Sequence, residues 1–541
     1  MQTLLLNVFA GAVLAASTPA QNSLLQLVPD NSSIIVYCDS WSNFQERSER
    51  NLWTEAVAAE EGGFVWADVF SCYDLQLPRE TEALYPIAKS LRGETVMFFT
   101  PGVVSLFTEV KGSMMEAQAA FAGWLPEETP EWPRIRQQVA DAQVEMVSWP
   151  DGGCSRNAKF VAYVDHPSVL GLVAANDLQE LTRAVTETIT RLAVAELSTP
   201  VQGMLEARKT AASIRGIEFY VDFTSYAQEA DEALRDAMKG MLPDPKDMLG
   251  LDRGVWLHAN FDFAGERRID CNARLNIPKD TLLAKLADCY GPLPANLPTR
   301  LPRDLASLWS LQWDLEKFYK TLRNSFVERH GKESVQMLDA GMAAAEGATG
   351  VNTMDGIIAP LEGLFAFYGK SLDSTHDSFQ RCMGLLIGLD SMDSFQEAIE
   401  NLIDMALGDA LELTDQDGAD VYLFKDDDFL SGGMALLPRE FLVTLNPELL
   451  REHVDAIHQV EGSNLAMSGA IGPIFDQHQG STFFACARLG WLREINLIEH
   501  GSEPRKPSAE RVEFLQPFMD SHAIANAVRT PEGFRFRFEV R

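Results

Sequence analysis

The sequence predicts an α+β protein: two tandem similar domains, each a largely antiparallel sheet with helices packed on one face. Three observations carry that expectation. Strand-length apolar runs are joined by short polar turns, as where 160–164 and 169–174 flank Asp165-His166-Pro167-Ser168. Such spacing makes hairpins, which are antiparallel. Strand-like runs also end on Asp or Asn and lead directly into helical patterns, as at Asp39, Asp177, Asp314, Asp390 and Asn446. Finally, the order of elements that begins at Leu27-Val28-Pro29-Asp30 begins again at Leu301-Pro302-Arg303-Asp304, offset by roughly 265–275 residues.

In chain order, the first 20 residues combine an apolar run with the small residues Thr18-Pro19-Ala20, the shape of a secretory signal peptide. The run carries no Lys or Arg, and the first basic residue is Arg47. An N-terminal domain is then expected over 21–290. It holds strands at 34–37, 95–99, 103–110, 144–149, 160–164, 169–174 and 217–221, then a hairpin at 255–263 and 269–277. Helical patterns fall over 46–89, 113–121, 176–192 and 225–238.

The second domain, 291–541, repeats this plan. Strands are expected at 305–313, 364–368, 383–389, 421–424, 433–437, 441–445 and 483–489, with a terminal hairpin at 523–528 and 534–540. Phe534-Arg535-Phe536-Arg537-Phe538-Glu539-Val540 alternates, so one face of that strand is expected buried and the other wet. In this reading Asp39 corresponds to Asp314 and Asp177 to Asn446. The short polar side chains cap the following helices by accepting from first-turn N–H groups, rather than gathering into an acidic site.

Charge and cysteines bound the partners. The 541 residues include 45 basic and 78 acidic side chains, a net charge of −33. That surface repels phosphate backbones and anionic headgroups, so nucleic acid is not an expected partner. After the leader, no apolar stretch reaches the roughly 18 residues of a membrane span. The seven cysteines (Cys38, Cys72, Cys154, Cys271, Cys289, Cys382, Cys486) form no CxxC pair, and several sit in strand-like runs as small hydrophobes.

Motifs for chemistry are sparse. Gly363-Leu364-Phe365-Ala366-Phe367-Tyr368-Gly369-Lys370-Ser371 misses a phosphate loop by one residue, and its apolar interior reads as a core strand. Asp415, Asp417 and Asp420 lie in a segment similar to a calcium loop. It lacks the third alternating ligand and the Glu at the twelfth position, so a polar turn is the first reading and calcium the alternative. The nine histidines form no HExxH or HxH; His453 and His458 do not share a helix face. There is no GxSxG elbow and no SxxK. No catalytic or cofactor-binding residue is assigned. Trp309 and Trp313, with Trp124, Trp132 and Trp149, are candidates for a ligand cleft or for core packing.

The leader-like start, Val28-Pro29-Asp30, and units such as Leu389-Asp390-Ser391-Met392-Asp393-Ser394-Phe395 and Leu445-Asn446-Pro447-Glu448-Leu449-Leu450 resemble a family of exported bacterial proteins of unknown function, common in planctomycete-type bacteria. The resemblance implies an envelope location, periplasmic or extracellular, and a duplicated α+β build. It brings no catalytic residue and no ligand. The expected function is a non-enzymatic binding or scaffolding protein of the bacterial envelope, with an unknown protein or an apolar ligand as partner. The alternatives are a carrier of an apolar ligand in an inter-domain cleft and a hydrolase with a dispersed site.

Overall fold

The computed structural model describes residues 23–52, 90–110, 118–121, 125, 128, 133–148, 159–193, 196–209, 216–224, 250–371, 382–406, 411–416, 419–424, 432–467, 470–491 and 519–541. The expected leader, and the helical patterns at 53–89 and 225–238, lie outside the described residues. So do Cys72, Cys154, Trp124, Trp132 and Trp149.

The described residues fall into two compact units. The first holds nine strands: β1 (Ile34–Cys38), β2 (Thr95–Thr100), β3 (Val103–Glu109), β4 (Ile135–Val139), β5 (Ala142–Ser148), β6 (Phe160–His166), β7 (Val169–Ala175), β8 (Ile217–Asp222) and β9 (Trp256–Gly265). They pair antiparallel in the order β4-β5-β6-β7-β3-β2-β1-β8-β9. Three helices accompany them: α1 (Trp41–Glu49), α2 (Leu178–Arg191) and α3 (Thr199–Lys209). The strand β4 is not among the strands expected from the sequence. Its Ile-Arg-Gln-Gln-Val stretch has little apolar pattern, and pairing with β5 decides its conformation.

The second unit contains β10 (Arg268–Asn276), β11 (Leu305–Gln312), β12 (Leu361–Lys370), β13 (Met383–Leu389), β14 (Leu411–Gln416), β15 (Ala419–Phe424), β16 (Gly433–Leu437), β17 (Glu440–Thr444), β18 (Phe483–Arg488), β19 (His522–Thr530) and β20 (Gly533–Val540). Their antiparallel order is β10-β20-β19-β18-β11-β12-β13-β17-β16-β15-β14. From β19 to β14 this is the order of the first unit with ten added to every strand number. The helices are α4 (Leu282–Ala287), α5 (Leu315–His330), α6 (Gln336–Thr349), α7 (Asp393–Ala406), α8 (Pro447–Ile457) and α9 (Ile471–Asp476).

The helices cover both faces of the sheet, not one as expected. In the first unit, Leu181, Val185 and Ile189 of α2 and Val201 and Met204 of α3 pack on Ile35, Val96, Phe98, Val144 and Val173. Phe121 and Leu125 pack on Val147, Val161, Tyr163 and Leu172, which point to the other side by strand parity. The second unit does the same. Leu449, Leu450 and Val454 of α8 sit on Leu308, Tyr368, Leu386 and Leu442. Phe395 and Ile403 of α7 sit on Tyr422, Leu436 and Phe441. Each such Leu, Ile, Val or Phe removed from water contributes about 1.5–3 kcal/mol. Runs such as Leu385-Leu386-Ile387, apolar at successive positions, are what a sheet buried on both sides requires.

Helix capping follows the sequence in part. Asp177 Oδ1 accepts from the backbone N–H of Gln179 at 2.7 Å and of Glu180 at 3.2 Å. Asn446 Oδ1 accepts from Glu448 at 2.9 Å, and Asp314 Oδ1 from Lys317 at 2.8 Å. Asp39 does not hold the equivalent place. Phe44 N bonds the carbonyl of Ser40, so Ser40 is the N-cap of α1 and Asp39 lies one residue outside it. Asp390 is three residues ahead of α7, and its own N–H bonds the carbonyl of Pro360.

The stretch similar to a phosphate loop is β12. Leu364, Ala366 and Tyr368 are core residues there. Gly363 has a φ of +86°, and a Cβ on it would lie 2.7 Å from the Trp313 carbonyl oxygen. The glycine serves a close approach of two backbones. Gly384 opposite Tyr368 and Gly171 opposite Phe107 leave room for an aromatic ring, since a Cβ on either would fall 2.2 Å from that ring.

Candidate functional site

Three polar constellations are each built around a buried titratable side chain: Glu218, His453 and Glu539. In the first unit, α3 lays Arg208 over β8 and β9. Its Nε and Nη2 donate to the two carboxylate oxygens of Glu218 at 2.9 and 2.6 Å. His258 Nε2 lies 3.1 Å from Glu218 Oε2, and the guanidinium stands 4.9 Å above the Tyr37 ring. Burial pushes the Glu218 carboxyl upward, but the bonds from His258 and Arg208 outweigh it and hold the group below the usual carboxylate range. Tyr37 is raised, chiefly by burial and then by the charge of Glu94. A His–carboxylate pair supplies two of the three members of a hydrolytic triad. Here Arg208 claims both carboxylate oxygens and Glu218 and His258 are buried, so the pair ties α3 to the sheet.

In the second unit, His453 on α8 joins Tyr368 on β12 to the loop before β11. Its Nε2 is 2.8 Å from the Arg300 carbonyl oxygen, and the Tyr368 hydroxyl lies on Nδ1. Burial drives His453 down to about 3, so the ring is neutral, with the proton on Nε2 and Nδ1 accepting. Arg300 meanwhile pairs with Glu440 at 3.0 Å and Glu362 at 3.3 Å.

The third constellation surrounds Glu539 on β20, whose side chain is 1% exposed. Arg537 lies at 2.8 Å, Arg268 at 3.2 Å, Arg541 at 3.4 Å and His478 at 3.8 Å. His478 and the three guanidiniums, acting against burial, bring the carboxyl down to about 2.

The surface adds one feature. Phe538 on β20, Ala525 on β19, Ala485 on β18, Trp309 on β11, Phe367 on β12 and Leu385 on β13 stand opposite one another in successive registers. They therefore form one row on one face, spanning roughly 24 Å. Trp309 is 41% exposed, Phe367 45%, Phe538 40%, and Phe536 beside it 39%. The alternation of the last strand is thus present, but burial does not follow it as expected: Phe536 and Phe538 on one side and Arg535 on the other are exposed, while Val540 and Glu539, on opposite sides, are buried.

Of the residues singled out in the sequence, Trp309 belongs to this row. Trp313 stacks on Tyr290 with ring centroids 6.0 Å apart and meets Phe318 edge-on. Asp415 on β14 stands opposite Asp420 on β15, in a hairpin the sequence showed only as a turn; Asp417 lies outside the described residues. Asp420 accepts from Gln396 Nε2 at 3.2 Å. Among the described residues, no group of three or more His, Cys, Asp or Glu side chains is placed to hold a metal ion. Among them too, no helix is long and apolar enough to cross a membrane. Of the described cysteines, Cys38, Cys271, Cys289 and Cys486 form no disulfide.

Arg208, Glu218, His258 and the exposed phenylalanines were not singled out in the sequence. The available signals were a Glu inside the apolar run Ile217-Glu218-Phe219-Tyr220-Val221 and the interleaved charges of the last strand. No protein-family model, curated protein or solved structure matches this chain.

Proposed function

We propose that this chain is an exported, non-enzymatic binding or scaffolding protein of the bacterial envelope, and that it meets a protein partner through the aromatic row around Trp309. The single observation that carries this reading is the exposure of Trp309, Phe367, Phe536 and Phe538 together on one sheet face. Large aromatic side chains supply most of the energy at protein interfaces and are costly to leave in water. The burial of the titratable side chain at the centre of each polar constellation favours binding over chemistry, because the acidic members are already committed to partners inside the fold.

The same proposal takes the chain as a duplicated one, with tandem α+β domains over 21–290 and 291–541 behind a leader of 20 residues. The repeated strand order supports it, and the family resemblance supports the envelope location. N-terminal sequencing of the protein made in its own cells tests the leader; a mature chain that begins at Gln21 is expected, and one that keeps Met1 removes the export reading.

Photo-crosslinking tests the surface. A photoreactive residue at position 309 in living cells is expected to give a discrete protein adduct, and the same residue at exposed Glu328 none. Adducts of equal yield at both positions, or none at 309, defeat the proposal. A lipid adduct at 309 selects the carrier alternative instead.

A further inference from the structure

The strand order of the second unit ends on β14, and that edge has a chemistry that does not depend on the partner proposed above. Among the described residues, β14 pairs only with β15. The N–H of Phe424 donates to the carbonyl of Gly432, on the β16 side, at 3.0 Å. The opposed residues Leu411 and Phe424 therefore do not exchange backbone hydrogen bonds, and alternation gives Leu413–Tyr422 and Asp415–Asp420 the same character. The N–H and C=O groups of Leu411, Leu413 and Asp415 thus point away from β15. Among the described residues, no backbone group answers them.

An open edge is a template for another strand, and native edges are commonly blunted by Lys, Arg or Pro. The strand β4, at the corresponding end of the first unit's order, is guarded in this way. Its Arg136 pairs with Glu128 at 2.7 Å and Glu145 at 2.9 Å. β14, Leu-Glu-Leu-Thr-Asp-Gln, carries no such residue. Leu413 is 58% exposed, and Met405, near the end of α7 that leads toward β14, is 54% exposed. Leu413 shares a face with Tyr422, whose hydroxyl donates to Glu400 of α7 at 3.1 Å. Burial, then Glu400, Asp420 and Asp404, push that hydroxyl up to about 12. Gln396 donates to Glu400 and to Asp420, but among the described residues no cation pairs with any of the three carboxylates. Glu412 is exposed on the opposite face of β14.

We propose that the open edge of β14 receives an extended, cationic segment of a partner protein as an added strand. The partner's backbone continues the ladder at Leu411, Leu413 and Asp415. A lysine on its near face lays its aliphatic stem on Leu413 and carries its ammonium toward Glu400, Asp404 and Asp420. A second copy of this chain brings the same carboxylates to the edge and is repelled.

Fluorescence anisotropy of the full chain with a short labelled peptide of alternating lysine and valine tests the assignment. Saturable binding is expected. A glutamate–valine peptide, and the lysine–valine peptide with its backbone amides N-methylated, are expected to bind at least tenfold more weakly. L413P removes one outward N–H and blocks the edge while leaving the β14–β15 hydrogen bonds in place, and is expected to weaken binding about tenfold. D404K, on the exposed surface of α7, is expected to weaken it about fivefold without touching the edge. No saturable binding of the lysine–valine peptide, equal affinity for its N-methylated form, or unchanged affinity in both L413P and D404K overturns the proposal. Self-association of the parent chain in sedimentation, abolished by L413P, assigns the edge to a second copy and overturns it as well.

Discussion

The hydroxyl of Tyr368 donates to Nδ1 of His453, and the opposite ring nitrogen of that histidine donates to the backbone carbonyl of Arg300. One imidazole thus joins β12, α8 and the loop ahead of β11, and burial holds it neutral. The relationship makes the second unit sensitive to acid. His453 titrates at about 3 in the fold against about 6.5 in the unfolded chain. Its contribution is therefore complete above about pH 6.5 and is lost as pH falls from there toward 3, where the unfolded chain binds the proton and the fold does not. Urea unfolding between pH 7 and pH 4 should show stability falling by about 3 kcal/mol or more from this residue. H453Q should flatten that slope; an unchanged slope would show that other groups produce it. Y368F should cost about 1–2 kcal/mol by leaving Nδ1 unpaired.

The Arg208–Glu218 pair predicts an asymmetry between single and double replacement. R208M leaves the buried Glu218 carboxylate with His258 alone, and should lower stability by about 3 kcal/mol. Joining it to E218L removes the stranded charge, and the double variant should recover a large part of that loss. Denaturant midpoints of the two singles and the double decide the matter. Additive losses would mean that the charges are not coupled.

Capping separates residues that look alike in the sequence. D177A and N446A should each cost about 1 kcal/mol, and D314A a similar amount, because each strips an acceptor from a helix start. D39A should stay within about 0.5 kcal/mol of the parent, since Ser40 holds the cap position. A loss at Asp39 equal to that at Asp314 would contradict the assignment of Ser40.

Glu539 gives a second acid response, at lower pH. Its carboxyl titrates at about 2 in the fold against 4.5 in the ordinary state. Its stabilisation is present above about pH 4.5 and fades as pH falls toward 2. E539Q should be less stable at pH 7 by no more than about 3 kcal/mol, and the gap to the parent should close near pH 2. A constant gap across that range would place the effect in packing and not in charge.

Calcium should leave the melting midpoint unchanged, because Gln396 engages the Asp420 carboxylate and the Asp415–Asp420 pair closes a β-hairpin. A rise in the midpoint that D420N abolishes would restore the calcium reading.

Most of the strands are legible in local sequence patterns. Runs such as 95–99, 217–221 and 433–437 are β-rich, bounded by turn residues, and fold where their local pattern places them. The sequence also marked the helix starts at Asp177, Asp314 and Asn446, because a cap acts within three residues of its own position. The tertiary structure decided what depends on distant neighbours. Whether Phe538 or Glu539 is buried depends on what lies across each face of β20, and parity assigns residues to a face without saying which face is covered. The same holds for β4 and β14, whose weak patterns become strands only against β5 and β15. It holds too for Glu218 and His453, since the arginine, tyrosine and carbonyl that complete them come from 10 to 153 residues away.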